Sequence, residues 1–267
     1  MKMKFFIFIF LAIILVAYIY IQISFFKVNE VKLNSEKIKD DIKIVQVSDF
    51  HNNRFINKKR FIKKIKSINP DIIVLTGDII DAKTKDFDYS ISMIRDLKNI
   101  TDKIYFVWGN HEIRNNRGKE FVEILKRMGI FVLENENTRV HINNTEMNIC
   151  GVNFYIDKND YKNSLDGIDE KSYTILLSHS PNRPISYSEG KEDLILAGHT
   201  HGGQVRFPII GAIVAPGQGY FPKHDKGLFK IGNTTLYIDS GLGNSVFPIR
   251  FLNRIQISNI AIKKGYK

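Results

Sequence analysis

Leu194-Ile195-Leu196-Ala197-Gly198-His199-Thr200-His201-Gly202-Gly203-Gln204 runs from an apolar segment into two histidines held between glycines. If 194–196 is a strand, its side chains leave in alternating directions, and only a loop freed by glycine can turn His199 and His201 onto one centre. Such a loop suits a metal better than a hydrophobic core. Taken alone it reads equally well as a polar turn with two solvated histidines, so the other strand ends decide.

Working outward, Asp71-Ile72-Ile73-Val74-Leu75-Thr76 is a continuous apolar run suited to a strand buried on both faces, and it ends in Gly77-Asp78. Residues 43–48 end in Asp49-Phe50-His51, 104–108 in Gly109-Asn110-His111-Glu112, and 173–178 in His179. Between them, helices are expected over 57–68, with Phe61, Ile62, Ile65 and Ile68 as the buried stripe, through Ile91, Ile94 and Leu97, and around 121–128. A hairpin turns at Asn143-Asn144. Past Gln204 the short segments 205–207, 209–214, 227–231, 234–239 and 255–262 read as mainly antiparallel strands, with a tight turn at Gly232-Asn233. No repeat or low-complexity linker divides the chain, so residues 42–267 are expected to form one domain. Its expected fold class is α/β, with two packed mixed sheets flanked by helices in an α/β/β/α sandwich.

Before that domain, a four-residue tail (1–4) leads into residues 5–26, an apolar run whose only polar members are Gln22, Ser24, Tyr18 and Tyr20. At about 1.5 Å per residue it reaches about 33 Å, enough to cross a bilayer as a single-pass anchor. A cleaved signal would have a shorter apolar region and a small-x-small site, which Ile23-Ser24-Phe25-Phe26-Lys27 does not offer. Residues 27–41 read as a charged juxtamembrane linker. Lysines lie on both sides of the span, so they leave open which face of the membrane carries the domain. The net charge of +11 fits anionic headgroups as well as nucleic acid, and the scattered lysines of 58–66 read as the solvated face of a helix, which disfavours a nucleic-acid partner. A single cysteine, Cys150, excludes an intramolecular disulfide framework; placed in an apolar strand, it reads as an inert core thiol.

Five successive strand ends therefore offer Asp49 and His51, Asp78, Asn110 and His111, His179, and His199 and His201. Ligand sites of α/β sheets gather at this carboxyl edge, because loops can converge there while the strands stay rigid. Five of the seven histidines fall in these slots, with only oxygen and nitrogen donors around them. That is more than one tetrahedral site takes, and a carboxylate such as Asp78 can bridge a second ion.

The order Asp49-x-His51, Gly77-Asp78, Gly109-Asn110-His111, His179 and Gly198-His199-x-His201 resembles the calcineurin-like metallophosphoesterases, from about Lys43 to the end of the chain. The apolar segment, the extended Gly198–Gln204 loop and the late Gly241-Leu242-Gly243-Asn244-Ser245 with Pro248-Ile249-Arg250 are similar to a membrane-anchored bacterial branch, itself similar to enzymes that cleave UDP-2,3-diacylglucosamine. The resemblance implies one metal held by Asp49, His51, Asp78 and His201 and another by Asp78, Asn110, His179 and His199. It also implies that His111 faces the substrate phosphate and that Asp81 orients it. Two such ions acidify a shared water and clamp the phosphoryl oxygens, so no side-chain nucleophile is needed. Manganese is the expected metal, with iron or zinc as alternatives. Protein phosphatases of the superfamily carry an arginine where this chain has Ala82, so activity on phosphoproteins is not expected; Arg250 or Arg114 is the candidate replacement, each equally readable as a surface or strand-end arginine. His141 and His224 read as structural or solvated. The expected substrate is a lipid-linked or other phosphodiester or pyrophosphate. A nuclease and a non-catalytic scaffold are the rival readings, and the oligomeric state is not legible.

Overall fold

The computed structural model describes residues 2–244 and 248–265. The chain starts with α1 (Lys2–Ser24) and β1 (Lys27–Ser35), followed by β2 (Ile42–Val47), α2 (Lys58–Ile68), β3 (Ile72–Leu75), α3 (Asp88–Lys98) and β4 (Ile104–Phe106). It continues through α4 (Asn110–Arg114), α5 (Gly118–Arg127), β5 (Phe131–Val132), β6 (Glu136–Ile142), β7 (Thr145–Val152), α6 (Lys158–Asn163), β8 (Tyr173–Ser178), α7 (Asn182–Tyr187) and β9 (Leu194–Ala197). Two short ribbons follow, β10 (Arg206–Phe207) with β11 (Gly211–Ala212) and β12 (Val214–Ala215) with β13 (Gly219–Tyr220). The last strands are β14 (Gly227–Ile231), β15 (Thr234–Ile238) and β16 (Gln256–Lys264).

Two six-stranded sheets result, in the orders β1-β16-β2-β3-β4-β5 and β14-β15-β9-β8-β7-β6. Period-two alternation sorts each strand between two cores. Ile44, Ile72 and Val74 of the first sheet meet Ile175, Leu177, Leu194 and Leu196 of the second between the sheets. Val45, Ile73 and Leu75 face outward onto Phe61, Ile65, Met93, Ile94, Phe121 and Leu125 of the helices. Cys150, Leu176, Ile195 and Leu236 face outward from the second sheet beside Tyr161 and Leu165. The expected four-layer α/β/β/α sandwich is thus present. Cys150 is buried, and burial pushes its thiol up to about 12, which leaves it unreactive.

Two expectations are corrected. Residues 27–41 are not a linker, because β1 pairs in parallel with β16 over nine residues and buries Val31. It is an edge strand whose outer face carries lysine, asparagine and glutamate, a composition that protects an exposed edge and reads as linker. The second concerns 209–214, since the segments after Gln204 otherwise pair mainly antiparallel as expected, in β10–β11, β12–β13, β14–β15 and β16–β2. β15 joins β9 in parallel, and β16 inserts between β1 and β2. The 209–214 segment is divided between the two ribbons.

The apolar helix α1 is long enough to cross a membrane, and nearly all its side chains before Tyr18 are exposed. Its last turn, by contrast, is docked. The Ile255 N–H donates to the Gln22 carbonyl at 3.0 Å, Asn53 Nδ2 to the Ile23 carbonyl at 3.3 Å, and Arg254 to the Phe25 and Phe26 carbonyls. The Leu252 N–H donates to the Tyr18 hydroxyl at 2.9 Å.

The pairing of β1 is testable by comparing a chain that begins at Lys27 with one that begins at Ile42. Loss of the strand uncovers β16 and removes the burial of Val31 and part of Leu33, so the shorter chain should be less stable by about 2 to 4 kcal/mol in urea unfolding. Equal midpoints would show that the strand adds nothing.

Candidate metal centre

The strand ends carry their polar residues in an unusual backbone conformation. Asp49, His51, Asp78, His199 and His201 all have φ between 48° and 71°. The left-handed region costs a non-glycine residue about 1 to 2 kcal/mol, and such strain persists only where the surroundings impose it. Here they do. The Asp49 N–H donates to the Gly77 carbonyl, His51 N–H to the Asp78 carbonyl and Asn52 N–H to the Ile79 carbonyl, lacing the two loops together. Gly198 passes so close to Asp49 that an added Cβ would overlap Ser48 Oγ, and one on Gly109 would overlap the Asp78 carboxylate.

The bent ends produce two adjacent groups of donors. Asp49, His51 and His201 place one donor atom each within 4.8 Å of one another, and so do Asp78, His179 and His199. His199 and His201 therefore serve neighbouring groups and not a single centre. Asp78 faces both, its Oδ2 lying 3.7 Å from His51 Nε2 and 3.1 Å from His179 Nε2. His199 Nδ1 is 3.1 Å from His179 Nε2, and His201 Nε2 is 3.5 Å from Asp49 Oδ1. His179 Nδ1 points at the Thr76 carbonyl at 2.8 Å, which fixes the proton there, so that in the neutral ring Nε2 turns a lone pair toward Asp78 and His199 and can ligate an ion.

Partners are supplied to some of these atoms and withheld from others. Asp49 accepts from Ser48 Oγ at 2.5 Å and from the His199 N–H at 3.1 Å, while Asp78 accepts from the His111 N–H at 2.8 Å. Both ring nitrogens of His51 and Oδ1 of Asn110 are buried with no hydrogen-bond partner among the described residues. Each such orphan costs about 1 to 3 kcal/mol, so an oxygen and nitrogen donor set with this vacancy of partners fits hard or borderline divalent ions.

The charges conflict in the same way. Burial pushes the Asp49 and Glu112 carboxyls up, and the Asp78 charge adds to both shifts. Burial also acts on Asp78, but the surrounding histidines outweigh it and hold that carboxyl below its usual range. His179 is driven down by burial, yet Asp78 and Asp49 hold it up at about 9. Burial and the neighbouring His179 hold His199 down at about 3. His201 is lowered by burial, His51 and Arg250, so it is neutral and able to ligate. Cations placed among these groups relieve the conflict.

His111 stands at the edge of the groups, its side chain 18% exposed and its Nδ1 3.2 Å from Asp81 Oδ2. The Ala82 N–H also reaches that nitrogen at 3.1 Å. Burial lowers the His111 pKa, but Asp81 and Asp78 outweigh it and raise it above the ordinary value. With His51 and Asp81, His111 forms a third group of possible donors that abuts the first. Arg114 is exposed at the end of α4, with no ion-pair partner among the described residues.

Arg250 is placed otherwise than expected. It is fully buried, and its guanidinium donates to the Ser240 and Gly243 carbonyls at 2.6 Å and lies 3.4 Å from His201 Nδ1. It braces the loop behind His201 and has no free face for a phosphate; burial lowers its pKa to about 10. The Gly241–Asn244 part of the late motif lies against the Asp49 loop, with the Leu242 N–H donating to the Ser48 carbonyl; Ser245 falls outside the described residues. His141 is 74% exposed, and His224 packs on Phe229, so neither joins the groups.

Sequence reasoning named Glu112 without a role. Its buried carboxylate accepts the N–H groups of Asp78, Ile79, Ile80 and Gly109 at 2.6 to 3.1 Å. The available signal was its position three residues after the glycine that caps α4, from which a glutamate reaches back to the cap amide.

The family model for calcineurin-like phosphoesterases matches residues 42–203. An uncharacterized metallophosphoesterase of Bacillus subtilis is 29% identical over 231 residues, covering 84% of this chain and 80% of that protein. One of Campylobacter jejuni is 31% identical over 227 residues, covering 81% of this chain and 58% of the relative. A transmembrane protein with metallophosphoesterase domain of Danio rerio is 27% identical over 261 residues, covering 90% and 58%. Among solved structures, a 5'-nucleotidase precursor from Thermus thermophilus superposes with a TM-score of 0.52 at 12% identity, over 84% of this chain and 54% of that one, a likeness of fold alone.

Glu112→Gln tests the support of the site. An amide offers one acceptor oxygen and turns N–H groups toward other N–H groups, so the variant should be less stable by about 1 to 3 kcal/mol and hold less metal by elemental analysis. Wild-type metal content and stability would show that the four hydrogen bonds do not position the loops.

Proposed function

Since the chain belongs to the calcineurin-like phosphoesterase family, and is thereby a metal-dependent phosphoester hydrolase, we propose that it is a membrane-anchored dinuclear enzyme that cleaves a phosphodiester or pyrophosphate bond in a lipid-linked substrate. The observation that carries the reading is the pair of adjacent donor groups joined at Asp78, with buried His51 and Asn110 atoms left without partners among the described residues. One ion is assigned to Asp49, His51, Asp78 and His201, and the other to Asp78, Asn110, His179 and His199. When bound, such ions polarise phosphoryl oxygens and acidify a water. Manganese, iron and zinc all suit this donor set.

The protein's own groups supply the rest. His111, held by Asp81, presents an imidazole to the substrate phosphate or leaving oxygen and delivers a proton there. Arg114, three residues on along the same helix, is the cation available to a phosphate oxygen now that Arg250 is committed to backbone carbonyls. Support for a lipid-linked substrate comes from the exposed apolar helix, whose last turn is hydrogen-bonded through Asn53 to the loop that begins at Asp49. Full-length protein with manganese should hydrolyse a lipid pyrophosphate in preference to cyclic nucleotides or DNA; hydrolysis of DNA alone would replace this reading with a nuclease.

Asp78→Asn should lower occupancy of both ions, because an amide carries no charge to share, whereas His199→Ala should mainly empty one. Elemental analysis separates the two, and equal small losses would undo the bridging role. His111→Gln should leave metal content near wild type and lower kcat by about 10²-fold or more, least for an activated nitrophenyl ester whose leaving group needs no proton. Loss of metal together with activity would make His111 a ligand.

A further inference from the structure

The ribbon that follows the metal centre carries apolar side chains that the described residues leave largely uncovered. Ile209 is fully exposed, Ile210 60% exposed and Phe207 44% exposed at the tip of the β10–β11 ribbon. Ile209 also has φ 71°, a conformation unfavourable for a β-branched residue. A strained isoleucine in water contributes nothing to folding, so the tip is built to meet something apolar.

The occupant follows from continuity with α1. Phe207 packs on Phe251 with ring centroids 5.6 Å apart, and Phe251 packs on Tyr18 of the helix at 5.7 Å. The adjoining Leu252 is 51% exposed, and its N–H is held by the Tyr18 hydroxyl. Tyr18 lies six residues before Ser24, the last residue of α1, a depth of about 9 Å along the helix axis. In a hydrocarbon core about 30 Å thick, any segment that touches Tyr18 reaches the headgroup region and the upper acyl chains. Arg254 and Arg60 flank the helix exit, Arg254 on the Phe25 and Phe26 carbonyls and Arg60 with its guanidinium 5.8 Å from the Phe25 ring, at the level where anionic headgroups lie.

We propose that the catalytic domain is seated in the bilayer surface by a second contact, the Phe207–Ile210 tip together with the Phe251-Leu252 turn, and does not hang above the membrane from its anchor. This rests on the membrane-anchored reading of α1 and extends it. The seat begins six residues after His201 in the sequence.

The test uses the full-length chain in phosphatidylethanolamine and phosphatidylglycerol vesicles with acyl chains brominated either near the headgroup or near the terminal methyl. In a Trp108→Phe background, the only tryptophan is placed at Ile209 or, as a control for the anchor, at Leu15. Ile209→Trp and Leu15→Trp should both lose emission to brominated lipid, with the spectrum of the former shifted to the blue. Quenching at 15 without quenching at 209 overturns the seat and leaves the anchor standing. A blue-shifted but unquenched tryptophan at 209 also overturns it, because protein and not lipid then covers the tip. No quenching at either position removes the anchor and the seat together.

Discussion

Four backbone N–H groups converge on one buried carboxylate, that of Glu112, and the position of the metal centre depends on them. Three belong to the loop leaving β3 and one to the loop leaving β4, so a single side chain ties the neighbouring ends that carry Asp78 and Asn110. Parallel strands leave such ends unpaired at their carboxyl edge, and buried amides there need acceptors. A charged acceptor gives stronger hydrogen bonds than a neutral one, about 1.5 to 3 kcal/mol each, enough to hold Asp78 in a left-handed conformation it would otherwise avoid.

The same edge is where the two sheets meet, and polar contacts cross there in place of the apolar packing found deeper. Gln46 of the first sheet donates to the Ala197 carbonyl of the second at 2.9 Å, and His179 of the second points at Thr76 of the first. The His199 N–H reaches Asp49 across the same boundary. Each contact fixes a residue adjacent to, or within, a donor group, so the sandwich itself sets the spacing of the groups. The remaining conflict among buried carboxylates and imidazoles is tolerated because the cores on either side, almost wholly aliphatic and aromatic, over-determine the strands.

The five strand ends were legible because aspartate, asparagine and histidine after continuous apolar runs cannot belong to a core, and their recurrence at successive ends has no packing explanation. What the order of residues did not reveal is how each end bends. His199 and His201 divide between two groups because both adopt positive φ, which no glycine at their own positions signals. β1 was hidden by its place at an edge, where one face is solvated and the apolar alternation shrinks to Val31 and Leu33. Arg250 was misread for a related reason. An arginine in a loop is exposed by default, and only the carbonyls of Ser240 and Gly243, brought together by the fold, make burial of its guanidinium tolerable.

A helix ends with unsatisfied carbonyls, and the way this chain satisfies them links its first element to its chemistry. For α1 the partners come from the domain: the Ile255 N–H, Asn53 and Arg254 take carbonyls between Gln22 and Phe26. Asn53 is shared, its Nδ2 also donating to the Leu242 carbonyl at 2.8 Å, and the Leu242 N–H in turn donates to the Ser48 carbonyl beside Asp49. The apolar helix and the first ligand loop are thus two ends of one short hydrogen-bonded path. A flexible tether would let the site sample every orientation over a membrane. A helix capped by its own catalytic domain, and continued after two residues by a sheet strand, instead fixes the direction in which the metal centre faces relative to the helix axis.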